Sequence, residues 1–246
     1  MTGQTNTVAI VTGASRGIGA AVAERLAADG FAVVVNYAGN AALADTLVGR
    51  IKKAGGRAIA VQADASDPAA VRRLFDAAET TFGGVDVLVN NAGTMSLAKI
   101  ADADDAAFDR IVAINLKGTF NGLREAAKRL RSGGRIINFS TSVVGTKLES
   151  YGIYAATKAA VETLTGILAK ELRGRAITVN AVAPGPVATD LFFEGKSPEL
   201  IERLTKGPPL ERLGTPEDIA RVVAFLAGPD GGWIDGQVLR ANGGLV

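Results

Sequence analysis

The run Val8-Ala9-Ile10-Val11-Thr12-Gly13-Ala14-Ser15-Arg16-Gly17-Ile18-Gly19 decides the fold. Its first five residues are mostly β-branched and nearly all apolar, which predicts a strand covered on both faces, Val8–Thr12. Glycines then interrupt the run, and an alanine-rich pattern predicts a helix over Ala20–Asp29. Glycine at such a strand-to-helix turn permits a sharp bend. It also lets the backbone approach a pyrophosphate, which sits at the helix N-terminus. The spacing is G-x-x-x-G-x-G rather than G-x-G-x-x-G, so the loop alone also reads as glycines serving only a tight turn.

Outward from this unit the alternation repeats. Further strands are predicted over Ala32–Asn36, Ala58–Gln62, Val85–Asn90, Arg135–Ser140, Ile177–Val182 and Val238–Arg240. Helical patterns lie between them, among them Pro68–Phe82, Asp104–Arg131, Ala155–Arg173 and Pro216–Leu226. Asp67-Pro68 and Thr215-Pro216 each read as an N-cap followed by proline in the first helical position. Lys128-Arg129-Leu130-Arg131 reads as the cationic end of a helix. No linker or repeat divides the 246 residues. The expectation is a single-domain α/β protein, residues 1–246, with a Rossmann-type doubly wound parallel sheet and ligands at the carboxyl ends of its strands.

Composition narrows the chemistry. Histidine and cysteine are both absent, which excludes thiol catalysis, disulfides, Ser-His-Asp hydrolysis and zinc sites built from the usual ligands. Acid-base work must then fall to Tyr, Lys, Asp or Glu. A formal charge of +2 gives no electrostatic case for a nucleic-acid partner. Without a membrane-length apolar run or secretory signal, the expectation is a cytoplasmic protein with no membrane partner.

The second strand ends Val35-Asn36-Tyr37, where a carboxylate would mark NAD by binding the ribose hydroxyls. Neutral Asn36 does not repel a 2′-phosphate and has an amide to donate to it, while Arg16 offers positive charge. Both point to NADP. The loop residues Gly13, Ser15, Arg16, Gly17, Ile18 and Gly19 form the expected cofactor cradle. Asp64, after the third strand, is a candidate acceptor for the adenine amino group or a cap for the next turn. Asn90-Asn91-Ala92-Gly93 after the fourth strand has little bulk, as a cofactor lying across Asn91, Ala92 and Gly93 requires. Its asparagines can also tie neighbouring strands together.

Tyr154 and Lys158 are four residues apart in a helical pattern, so phenol and ammonium share a face. A free tyrosine titrates near about 10, and an adjacent ammonium favours phenolate. The other tyrosines serve as internal controls: Tyr151 is followed at that spacing by Ala155 and Tyr37 by Ala41.

With these pieces assembled, the chain resembles the short-chain dehydrogenase/reductase family over essentially its whole length. The resemblance rests on Thr12–Gly19, Asn90-Asn91-Ala92-Gly93, Asn115, a serine-bearing strand end, Tyr154-x-x-x-Lys158 and Pro184-Gly185. It implies that Tyr154 is the general acid in carbonyl reduction and that Lys158 lowers its pKa and holds the nicotinamide ribose. Asn115 would hold a water linking Lys158 to solvent, its alternative being a satisfied buried amide. Pro184, Gly185, Val187 and Thr189 would flank the nicotinamide, although helix capping also explains a threonine at 189. The family's carbonyl-orienting serine commonly lies thirteen residues before the tyrosine, at Thr141. Ser142, however, fits the family's Ser-x-x-Gly pattern and is the choice made from sequence, with Ser140 and Thr141 as alternatives.

The resemblance further implies a small-molecule carbonyl substrate, a 3-oxoacyl thioester or a general ketone. It also implies a homo-tetramer joined through the closing segment, Trp233–Val238 through Gly243-Gly244, and no metal. Leu191-Phe192-Phe193 and the polar hinge after them read as a substrate lid or as core and interface. Alternatives are an NAD-linked alcohol or sugar dehydrogenase, a non-catalytic NADP-binding regulator, or an assembly protein that keeps only the fold.

Overall fold

The computed structural model describes residues 7–246. Seven parallel strands form one sheet in the order β3-β2-β1-β4-β5-β6-β7. They are β1 Val8–Val11, β2 Ala32–Tyr37, β3 Arg57–Gln62, β4 Val87–Asn90, β5 Arg135–Phe139, β6 Thr178–Pro184 and β7 Val238–Ala241. Each predicted strand is present, with ends displaced by one to two residues. Strand order reverses between β1 and β4, so a crevice opens at their carboxyl ends, where open α/β sheets bind ligands.

Both sheet faces are covered, and β1 shows how. Ala9 and Val11 face a core shared with α1 (Gly17–Ala28), α2 (Ala41–Lys53) and α10 (Pro216–Ala227), through Leu26, Leu47 and Val223. Val8 and Ile10 face the opposite core with α3 (Pro68–Phe82), α5 (Gly118–Arg129) and α7 (Gly152–Glu171), through Phe75, Leu123 and Leu168. A side-chain period of two distributes one apolar run to two cores, the arrangement the continuous Val/Ile/Ala pattern predicts.

Caps fix the helix starts that the sequence marks. Asp67 accepts from the Ala69 amide ahead of Pro68, and Thr215 and Asp218 form a reciprocal capping box around Pro216. Two regions depart from the expectation. The helix predicted over Asp104–Arg131 is three pieces: α4 (Asp105–Ile111), a π-helical stretch Val112–Lys117, and α5. The π turn places Asn115 inward and fully buried. The segment after β6 is also helical, as α8 (Asp190–Phe193) and α9 (Pro198–Lys206), and a short α6 (Val143–Thr146) follows β5. Among the described residues, no helix is long and apolar enough to cross a membrane.

Candidate active site

The glycine loop leaves β1 and enters α1 with Gly13 at φ 61° and Gly17 at φ 58°, left-handed conformations that favour glycine. A Cβ at Gly19 would lie 2.6 Å from the Gly13 carbonyl oxygen and 2.5 Å from the Asn91 amide nitrogen. Any side chain there would burst the turn. The N-cap, Arg16, makes no side-chain cap, and α1 has no acidic residue in its first turn. Its free N–H groups and helix dipole therefore point at an open, anion-attracting end. These features fit a dinucleotide pyrophosphate.

Asn91 braces this loop. Its side-chain nitrogen donates to Thr12 O (2.9 Å) and Gly13 O (3.1 Å), while the amides of Asn91 and Ala92 donate to Thr12 Oγ1. Asn90 donates to Asn138 Oδ1 across β4 and β5 (2.9 Å), the strand tie expected of this motif.

Asn36 has a different role from the one read in sequence. It is 2 % exposed. Its oxygen accepts from the Gly13 amide (3.1 Å), and its nitrogen donates to Ala63 O (2.9 Å) and Val61 O (3.3 Å). With its donors spent on backbone, Asn36 shapes the glycine loop and cannot donate to a 2′-phosphate. Beyond it Ala38, Gly39 and Asn40 are exposed, and Asn40 caps α2. Asp64 shows the turn-capping alternative, since its Oδ1 accepts from Ser66 N and Oγ, both at 2.8 Å.

The catalytic side chains converge from β5 and α7. Lys158, 4 % exposed, donates from Nζ to Phe139 O at 2.8 Å and lies 5.9 Å from the Tyr154 ring centre. Burial among uncharged groups pulls it down to about 8. Burial pushes Tyr154 up to about 12, partly offset by a hydrogen bond with the Thr141 hydroxyl. Burial is the largest influence on the Tyr154 phenol in this fold.

The three hydroxyls after β5 diverge. Ser140 donates to Glu162 Oε1 (2.6 Å). Thr141 Oγ1 accepts from the Val143 amide (3.3 Å), and its hydroxyl also favours the ionised form of Tyr154. Ser142, the sequence choice for orienting a carbonyl, is 2 % exposed; it donates to Ala183 O (3.1 Å) and accepts from Asn242 (3.0 Å). The three lie where the chain leaves β5 and turns into α6, Ser142 already in helical backbone as its N-cap. All three line the cavity that Tyr154 borders, and Thr141 is the one that influences the Tyr154 hydroxyl.

Asn115 is the satisfied buried amide. Its oxygen accepts from the Thr94 amide (2.8 Å), and its nitrogen donates to Thr94 O (2.9 Å) and Thr157 Oγ1 (3.3 Å). It joins the loop after β4 to the first turns of α7. Thr189 caps α8 by accepting from the Phe192 amide (3.2 Å), the second of the roles considered for it.

Tyr154, Lys158, Thr189 and the three hydroxyl residues Ser140, Thr141 and Ser142 border one cavity of about 200 Å³. Ile18, Asn91, Gly93, Pro184, Gly185, Val187 and Thr189 line its cofactor side, and Lys158, Tyr154 and Thr141 its centre. Sequence reasoning missed Tyr151, set aside as a control, which is half-buried in this cavity with its ring 6.4 Å from that of Tyr154. Met95, Leu204 and Leu245 also line it without any motif to announce them. For Thr141 the signal existed, in its thirteen-residue spacing from Tyr154.

Fold and site together define a dinucleotide-binding α/β oxidoreductase with a Tyr-Lys couple. Comparison with known proteins agrees. The family model described as Enoyl-(Acyl carrier protein) reductase matches residues 13–246. A short-chain type dehydrogenase/reductase of Picea abies is 49 % identical, over 97 % of this chain and 92 % of its own. The NADPH-dependent aldehyde reductase-like protein, chloroplastic, of Arabidopsis thaliana is 46 % identical, over 97 % and 94 %. The crystal structure of a short-chain dehydrogenase from Burkholderia cenocepacia in complex with NADP superposes with a TM-score of 0.93 at 38 % identity, covering 98 % of both chains. The chain belongs to the short-chain dehydrogenase/reductase family.

Proposed function

We propose that this protein is an NADPH-dependent carbonyl reductase that converts an aldehyde or ketone to the alcohol. The observation that carries the reading is the Tyr154–Thr141 hydroxyl pair in a mostly apolar cavity beside the glycine cradle. NADPH, when bound, supplies the hydride for the carbonyl carbon. The protein's part is to hold the carbonyl oxygen between two hydroxyls. Thr141 donates a hydrogen bond that strengthens as the alkoxide develops, and Tyr154 gives up its proton. A tyrosine pushed up to about 12 stays protonated at neutral pH, the state a general acid needs. Lys158, anchored on Phe139 O, is placed to hold the ribose and to re-supply Tyr154. Asn115 keeps the loop after β4 in register with α7.

Arg16, with Ala38 to Asn40, takes the 2′-phosphate. Arg16 stands 3.9 Å from Asp190 with both side chains largely exposed, a pair too weak to withhold the cation. A 3-oxoacyl thioester and simple ketones both belong to the reactive class. The nearly fully exposed Trp233 beside edge strand β7 supports assembly as a homo-tetramer, and a cytoplasmic location belongs to the same reading.

The test is NADPH and NADH oxidation with benzaldehyde, acetophenone and a 3-oxoacyl thioester mimic. Turnover with NADPH, at least about tenfold above NADH in kcat/KM, is expected. Silence with every carbonyl, despite measured NADPH binding, contradicts the reading and favours a non-catalytic NADP-binding protein.

A further inference from the structure

Residues 242–246, which follow β7, play no part in the chemistry above, yet they touch three elements around the cavity. Asn242 is nearly buried, and its side-chain nitrogen donates to Ser142 Oγ (3.0 Å) and Val246 O (3.1 Å). Its oxygen accepts from the Gly244 amide (3.0 Å). Ser142 in turn donates to Ala183 O, so the network joins the end of β5, the end of β6 and this segment with every amide group used. Breaking one member of such a network leaves a buried polar atom without its partner.

Packing continues where hydrogen bonds stop. Gly243 and Gly244, at φ 67° and 89°, turn the chain back on itself against Pro208 and Pro209. A Cβ at Gly145 in α6 would come within 2.7 Å of Val246, so α6 and the segment sit in direct contact. Between these anchors Leu245 lines the cavity, with Gly207 after α9 close behind it.

We propose that residues 242–246 are the wall that sizes the substrate pocket, with Leu245 as a specificity-determining residue and Asn242 as the residue that positions it. The proposal rests on the carbonyl-reductase reading of the same cavity. Val143, Leu148, Leu191, Phe192 and Leu204 line the same space, so the substrate group that meets Leu245 is apolar, an aryl or branched alkyl arm. One methylene in an apolar pocket discriminates substrates by roughly 10–200-fold, and shortening Leu245 to alanine removes more than that.

The experiment compares kcat/KM for benzophenone and for acetaldehyde with NADPH, in the wild type, Leu245→Ala and Asn242→Ala. This ratio does not depend on how much of a preparation is folded, so a loss of stability alone cannot move it. The benzophenone-to-acetaldehyde ratio should rise by about tenfold or more in Leu245→Ala and in the same direction in Asn242→Ala. Leu245→Phe should lower it. Calorimetric affinity of benzophenone for the NADP⁺ complex should follow the same order. That second readout holds even if neither carbonyl is turned over, an outcome that would sink the reductase reading but not the wall. Unchanged ratio and unchanged affinity in both Leu245 variants would overturn the proposal, whether or not Asn242→Ala folds.

Discussion

Ser140, Thr141 and Ser142 carry three consecutive hydroxyls, and the chain turns each to a different partner. Glu162 takes the first, Tyr154 the second, and Ala183 with Asn242 the third. Sequence motifs name positions but not directions, so the Ser-x-x-Gly pattern could not say which partner each hydroxyl meets. Thr141→Val should lower kcat by about 10²–10³, as loss of an oxyanion donor does, with NADPH affinity kept and activity largely restored in Thr141→Ser. If Thr141→Val retains wild-type kcat, the hydroxyl pair is not the carbonyl site. Lys158 gives a pH prediction. Burial holds it at about 8 against 10.5 for a free lysine, so between these values the unfolded chain binds a proton that the folded chain does not. Stability of the wild type relative to Lys158→Met should therefore rise with pH across that window, on the order of 1–2 kcal/mol between neutrality and pH about 9.5, and stay level below it. Cofactor-free thermal melts at several pH values test this. A difference that falls or stays flat over the window would mean that the amine is hydrated in solution.

The elements read most easily were those with strong periodic signals. The β1–loop–α1 unit was legible from apolar run, glycines and alanines, and the starts of α3 and α10 from cap and proline. Neither α2 nor the split of the long helix around Asn115 was named. In α2 the inward face is Ala44, Leu47, Val48 and Ile51, a stripe diluted by charged residues between. A π turn adds a single residue to the helical ladder, too little to disturb an apolar period, although it aims Asn115 at Thr94 and Thr157. Turns with left-handed alanine are equally silent. Ala176, exposed between α7 and β6, sits at φ 53°, where an L-residue costs roughly 1–2 kcal/mol. Ala176→Gly should raise stability by about 0.5–1 kcal/mol in urea unfolding, after glycine's larger chain entropy is subtracted. A loss of stability would show that the alanine methyl contributes packing in solution.

At the scale of the whole molecule, one topological fact organises the rest. Strand order reverses between β1 and β4, and the glycine loop, Asn91 and the Tyr154–Thr141 pair all lie at the carboxyl ends beside that reversal. The alternation of strand and helix sufficed to foresee this arrangement. The missing carboxylate after β2 pointed to NADP, but through Asn36, a residue the fold buries. With Arg16 proposed to take the 2′-phosphate, Arg16→Ala should reduce the NADPH-over-NADH preference in kcat/KM by about tenfold or more, and an unchanged preference would transfer the 2′-phosphate to other groups. The most direct measurement compares Tyr154→Phe with the wild type in NADPH affinity and in NADPH-dependent reduction of benzaldehyde. NADPH binding within about twofold and turnover lowered by about 10²–10⁴ are predicted for a lost proton donor. Substantial turnover in Tyr154→Phe would contradict the assignment on which the reductase account rests.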